Sequence, residues 1–321
     1  MSLAVPLKDI QRAQTTLKGT AFRTPLVPLN YSASEAIKIY LKLENLQPIG
    51  SFKLRGAYNA INCIPHEKLS NGVYTASAGN FAQGLSWGAK QMKIPCNTIV
   101  PDHAPQTKLD AIERLGGKYC KVPFNTWWTV IQEHHCDGVA GTFIHPVCEK
   151  TVMAGNGTIG LEILEDLPEV DAVIMPFGGG GLSCGIASAF HALKPSARMY
   201  ACEVETAAPL AESFKIQKPT SCDYKASFVD GMGGKSVLDE MWPMVKELLI
   251  DSLVVSLQEV ADAVKLLVER NRVVAEGAGA APVAAALAGK AGTGNIVCVI
   301  SGGNIDTDKL IPILQGKVPV K

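Results

Sequence analysis

The sequence predicts an α/β protein built from parallel sheets flanked by helices. Three observations carry this expectation. Short apolar runs alternate with helical segments. The chain has 321 residues, enough for about two domains. One apolar run also turns through four consecutive glycines into a helix of small residues. In chain order, residues 39–43, 97–100, 172–177, 199–203 and 296–301 read as strands, because each run is apolar and too short for a helix. Alternation of this kind places helices over parallel sheets. Residues 106–115 read as a helix closed by Gly116 and Gly117. The helix after the glycines runs to about Ala192. Residues 257–272 form a further helix, opened by Ser256 with Glu259 three residues on, the pattern of a capping box. No Pro/Gly/Ser linker separates independent domains, so the two domains are expected to interleave.

Composition narrows the function classes. Thirty Lys and Arg balance thirty Asp and Glu, which leaves no electrostatic footprint for nucleic acid or an acidic membrane surface. The apolar fraction of 47% against 19% charged residues describes a chain that buries a core. Pro6, Lys8, Asp9 and Gln11 interrupt the N-terminal apolar residues, so no signal peptide is read and a cytoplasmic location is expected. The runs 172–177 and 296–300 fall far short of the ~20 residues of a membrane span. Nine scattered cysteines, none spaced as CxxC, indicate reduced packing residues, with neither a disulfide framework nor a metal site expected.

Two stretches carry chemistry. The segment Pro176-Phe177-Gly178-Gly179-Gly180-Gly181-Leu182-Ser183 joins a strand to a helix. Glycines let the backbone approach a ligand closely, and the N–H groups and positive end of a helix face an anion. A tight connection without a ligand is the competing reading, since the run is neither GxGxxG nor a Walker A loop. In Gly50-Ser51-Phe52-Lys53-Leu54-Arg55-Gly56-Ala57 a lysine sits among small and apolar residues. A desolvated lysine loses charge and becomes a nucleophilic amine, although a lone lysine is more often a surface charge.

Taken with Glu44-Asn45-Leu46-Gln47-Pro48, Ser77-Ala78-Gly79-Asn80 and Ser301-Gly302-Gly303-Asn304, these stretches resemble the serine/threonine dehydratase family of pyridoxal-phosphate enzymes, which includes threonine ammonia-lyases and serine racemases. The likeness covers nearly the whole chain, in the family's order and spacing. It implies the two-domain fold type II of tryptophan synthase β. The large cofactor-binding domain is then expected at 1–71 with 150–321, and a small substrate-gripping domain at 72–149. By the same resemblance Lys53, beside Phe52, holds pyridoxal 5'-phosphate as a Schiff base and later moves the substrate α-proton. Gly178, Gly179, Gly180, Gly181 and Leu182 hold its phosphate, and Asn80 meets the ring 3'-oxygen. Ser301, next to Gly302, faces the ring nitrogen, while Glu276 and Gly231 lie near the ring. Ser77, Ala78, Gly79, Asn80 and Phe81 form the loop that grips the substrate carboxylate. The implied reaction is dehydration and deamination of L-threonine or L-serine to a 2-oxo acid and ammonia by a homodimer with an amino-acid substrate.

The sequence departs from the family pattern at several points. Ala78 stands where racemases carry a serine as second base, and Phe81 where dehydratases usually carry histidine. Of Trp127 and Trp128, adjacent in sequence, at most one is expected to line the pocket; packing is the alternative. An aromatic wall there would suit a bulkier substrate such as phenylserine. Relatives that bind a divalent cation use a glutamate and an aspartate six residues on; here Glu203 is followed at that spacing by Pro209, which offers no ligand. His145 is read as a structural residue at a hinge. A β-replacement enzyme such as cysteine synthase and a non-catalytic phosphate-binding protein remain alternatives, the first disfavoured by the form of the lysine motif.

Overall fold

The computed structural model describes residues 2–32 and 34–320. Among the described residues, ten strands form two sheets: β1 Leu26–Pro28, β2 Ile37–Lys42, β3 Val73–Ala76, β4 Cys96–Pro101, β5 Lys118–Val122, β6 Thr142–Phe143, β7 Ala172–Pro176, β8 Arg198–Val204, β9 Asp251–Val255 and β10 Gly294–Val299. The larger sheet has the order β1-β2-β10-β7-β8-β9, and the smaller β5-β4-β3-β6. All five strands read from sequence are present, and the smaller sheet is wholly parallel. The larger sheet differs at one edge, where β1 pairs antiparallel with β2. The connection from Pro28 to Ile37 is too short for the crossover of a dozen or more residues that a parallel pair requires, so the chain makes a hairpin.

Helices cover both faces of the larger sheet. Lys150–Asp166, Gly181–Leu193 and Gly277–Leu287 are buried along nearly their whole lengths, which matches their near-continuous apolar and small residues. The expected capping box is formed: the Glu259 amide donates to Ser256 Oγ at 3.1 Å, and the Ser256 amide to the Glu259 carboxylate at 2.6 Å. That helix ends at Leu266 and passes into a π-turn over Leu267–Asn271.

Beneath the helix Lys53–Asn62 lies a buried ionic network. Arg55 donates to both Glu44 oxygens at 2.8 Å and to the two Glu162 oxygens at 2.7 and 3.0 Å. Lys42 donates to Glu162 at 2.6 Å. Thr158, the Phe22 carbonyl, Thr24 and Gln47 take the remaining contacts. Burial alone pushes the Glu44 carboxyl up, but Arg55 and then Lys42 and Thr24 more than offset this and hold it below its ordinary value. Two cations and two anions thus tie β2, the turn after it, the helix of Lys53 and the helix Lys150–Asp166 into one unit.

Removing the arginine leaves two carboxylates buried together, a change that costs about 3–5 kcal/mol. Arg55→Met should therefore lower stability by that amount in urea unfolding of the ligand-free protein. A loss below about 1 kcal/mol, the range of an exposed pair, would contradict the network's role.

Candidate active site

Lys53 opens its helix at the foot of a cleft between the two sheets. Its placement comes from pairing on either side: Phe52 N donates to Ser301 O at 3.0 Å and Gly303 N to Gly50 O at 2.9 Å, so the segment before Lys53 lies against the end of β10. The Lys53 amine stands 4.9 Å from the Phe52 ring centroid and 5.9 Å from that of Phe81. Desolvation in these surroundings brings its pKa down to about 8, with the Glu276 carboxylate opposing the shift. Ser301, buried at the strand end, lines the same cleft.

On the adjoining wall β7 ends at Pro176 and the chain turns through the glycines. Gly180 has φ +103°, a left-handed conformation that glycine adopts without strain, and the helix Gly181–Leu193 follows at once. Its backbone bonding begins with Cys184 N to Gly180 O at 2.8 Å, so the N–H groups of residues 181–183 precede the first intrahelical bond. Val147 packs against this turn, and a Cβ on Gly179 would lie 2.8 Å from its side chain.

The third wall comes from the smaller sheet. β3 leads into Ser77, whose amide donates to Ile99 O at 3.1 Å, and the helix Asn80–Met92 begins three residues later. Asn80 Nδ2 donates to the two Glu276 oxygens at 3.0 and 3.2 Å, and Asn304 Nδ2 donates to Asn80 Oδ1 at 2.8 Å. In this structure the Asn80 amide donor thus faces a carboxylate. Burial pushes Glu276 up to about 7, while the hydrogen bond from Asn80 works against that rise. Side chains at Gly231 or Gly302 would come within 2.9 and 2.7 Å of Glu276 Oε1, which explains glycine at both.

The cleft, about 330 Å³, brings together Lys53, the Ser77 to Phe81 loop, the glycine turn, Gly231, Glu276 and Ser301. Gly302 stands behind the wall, against Glu276 and paired with Ser51. Trp127 also reaches the cleft, and Trp128 does not; both line an adjoining cavity of about 930 Å³. His145 is structural at this position: its Nδ1 accepts from Val147 N and Cys148 N at 3.0 and 2.9 Å. Glu203 accepts from Leu210 N, Ala211 N and Ser252 Oγ at 2.9, 2.8 and 2.7 Å, so its carboxylate caps the helix Pro209–Ile216. The sequence did not mark Lys108 and Asp230, which form a salt bridge of 2.5 Å at the mouth of the cleft. A half-buried lysine on a polar helix carries no sequence signal of this kind.

An amine of lowered pKa, an unpaired helix start suited to an anion and a neutral hydroxyl at Ser301 form a donor set that fits pyridoxal phosphate.

Comparison with known proteins agrees with that fit. The family described as pyridoxal-phosphate dependent enzyme matches residues 17–302. The catabolic L-threonine dehydratase of Staphylococcus aureus is 38% identical over 97% of this chain and 92% of that protein. Maize serine racemase superposes with a TM-score of 0.87 at 32% identity, covering 97% of each chain. The processed form of threonine deaminase isoform 2 from Solanum lycopersicum does so at 0.84 and 29%, covering 98% of this chain and 95% of that one.

The Glu276 carboxylate favours the charged form of Lys53, so Glu276→Gln should shift the Lys53 amine titration to lower pH. Acylation of Lys53 in the ligand-free protein, followed by peptide mass spectrometry across pH, measures that shift. An unchanged midpoint would show that the two groups are not coupled.

Proposed function

Because this chain belongs to the pyridoxal-phosphate dependent enzyme family, we propose that it is a lyase that removes water and then ammonia from L-threonine or L-serine, leaving a 2-oxo acid. The observation that carries this reading is the desolvated Lys53 amine in one cleft with the glycine turn and Ser301. When bound, pyridoxal phosphate supplies the electron sink that makes an α-proton removable and a β-hydroxyl expellable.

The chain's own residues bind, orient and move protons. Lys53 holds the cofactor and carries the α-proton, since an amine titrating near 8 gives up and regains a proton around neutral pH. Backbone N–H groups of Gly178, Gly179, Gly180, Gly181 and Leu182 bind the phosphate. Ser301 would offer a neutral hydroxyl to the ring nitrogen, a partner that leaves the sink weaker than a carboxylate would and suits elimination over racemisation. Phe52, Asn80, Gly231 and Glu276 would border the ring, with Gly302 behind Glu276. Ser77, Ala78, Gly79, Asn80 and Phe81 hold the substrate carboxylate. Ala78 has no titratable proton, so it provides no second base on the opposite face of the α-carbon. The strands of the smaller sheet support a substrate-gripping domain at 72–149 and a cofactor-binding domain at 1–71 with 150–321. A homodimer belongs to the same reading and rests on the family resemblance, and a cytoplasmic location belongs with it and is supported by nine free cysteines; among the described residues no helix is long and apolar enough to cross a membrane.

A second substrate reading is favoured by Trp127, which lines both the lysine cleft and the larger cavity beyond it. That continuity gives room for an aryl β-substituent, as in phenylserine.

Initial rates of 2-oxo acid formation on L-threonine, L-serine and L-threo-phenylserine test the proposal. Lys53→Ala should lower the rate by ~10³-fold or more. Preference for phenylserine would select the second reading, and inactivity on all three would reject elimination from β-hydroxy amino acids. Ala78→Ser should add measurable D-serine formation from L-serine by chiral chromatography, and its absence would argue against the assigned position of Ala78.

A further inference from the structure

Away from the lysine cleft, four side chains with metal-binding atoms converge from separate parts of the chain. His134 follows the helix Phe124–Glu133, His145 and Cys148 lie before the helix Lys150–Asp166, and Glu240 stands before the helix Trp242–Leu248. One donor atom from each lies within 4.8 Å of all the others. Imidazole, thiolate and carboxylate together make a donor set of zinc type.

The hydrogen bonds divide the four into ligands and support. His134 Nε2 lies 3.3 Å from Glu240 Oε1. Two donors bound at ~2.0–2.1 Å to a tetrahedral zinc stand ~3.4 Å apart, so this pair already has the required separation. His145 cannot serve as a ligand in this arrangement. Its Nδ1 lone pair accepts the amides of Val147 and Cys148, which assigns the ring proton to Nε2, and that nitrogen lies 4.0 Å from Cys148 Sγ. An N–H held by a fixed ring and aimed at sulfur is the support that steadies a metal-bound thiolate.

We propose that His134, Cys148 and Glu240 bind one zinc-type divalent ion, with the fourth position open to water and the His145 Nε2–H directed at the cysteine sulfur. Binding forms the metal–sulfur bond and releases the thiol proton to solvent. His134 ends the helix that carries Trp127 and Trp128, and Glu240 lies two residues beyond Leu238, which lines the same cavity. The ion would therefore tie the helix of the two tryptophans to a second segment lining the large cavity. An exposed His134–Glu240 pair beside an inert thiol is the alternative.

The test uses the holoenzyme, stripped with a chelator, dialysed against Zn²⁺ and analysed for bound metal. One zinc per chain is expected. Co²⁺ in its place should give visible d–d absorption with a thiolate-to-cobalt charge-transfer band. Cys148→Ser should abolish that band, and His134→Ala should weaken binding by at least tenfold. Neither residue belongs to the lysine cleft, so lyase activity of the two metal-free variants, equal to that of the metal-free wild type, verifies their folding. Zinc content no higher in the wild type than in Cys148→Ser would overturn the proposal. So would a cobalt spectrum without the thiolate band.

Discussion

The position of Lys53 depends on a mutual burial of two cations and two anions. Arg55, Lys42, Glu44 and Glu162 are almost completely removed from solvent, and each charge is neutralised by partners within hydrogen-bond distance. Such a cluster is costly to assemble and costly to disturb, because any displaced member leaves an unpaired charge in a poor dielectric. Residues two apart on a helix point in nearly opposite directions. Arg55 therefore faces down into the network while Lys53 faces up into the cleft, and anchoring one orients the other. The bonds from Phe52 to Ser301 and from Gly303 to Gly50 complete the placement, as they set the lysine beside the end of β10.

From this root the cleft is closed by contacts that cross between the sheets. Asn80 belongs to the helix that follows β3 of the smaller sheet, whereas Glu276 and Asn304 lie beside the larger one, and their side chains join in one chain of hydrogen bonds. Lys108 and Asp230 form a second crossing at the mouth. Both crossings run through the region where substrate would be gripped. The two sheets are thus joined at the cleft by polar contacts, while away from it Ala57, Ala60 and Ile61 of the Lys53 helix pack with Val73, Phe81, Leu85 and Ala89 in a shared apolar cluster.

Much of this architecture was legible in the sequence, for physical reasons. β4, β7, β8 and β10 are apolar runs buried in parallel sheets, and the glycine turn could only be a close approach or a tight connection. The capping box named its own helix start. β5 was not legible, because Lys118–Val122 is an edge strand whose side chains are mostly exposed and show no alternation. β1 and β6 are only three and two residues long, too short for any period. Pairing between Asn80 and Glu276 spans 196 residues and leaves no local trace. The sequence separated Glu203 from a cation site through Pro209, but its use as a helix cap became visible only with the amides of Leu210 and Ala211 in place. The direction of Trp127 likewise required the fold.

The central claim is that Lys53 holds the cofactor in this cleft. Borohydride reduction of the pyridoxal-phosphate-loaded protein, followed by digestion and peptide mass spectrometry, tests it most directly. The account predicts a stable cofactor adduct on Lys53 and its absence in Lys53→Ala. An adduct on another lysine, or none on a protein that turns over threonine, would contradict it.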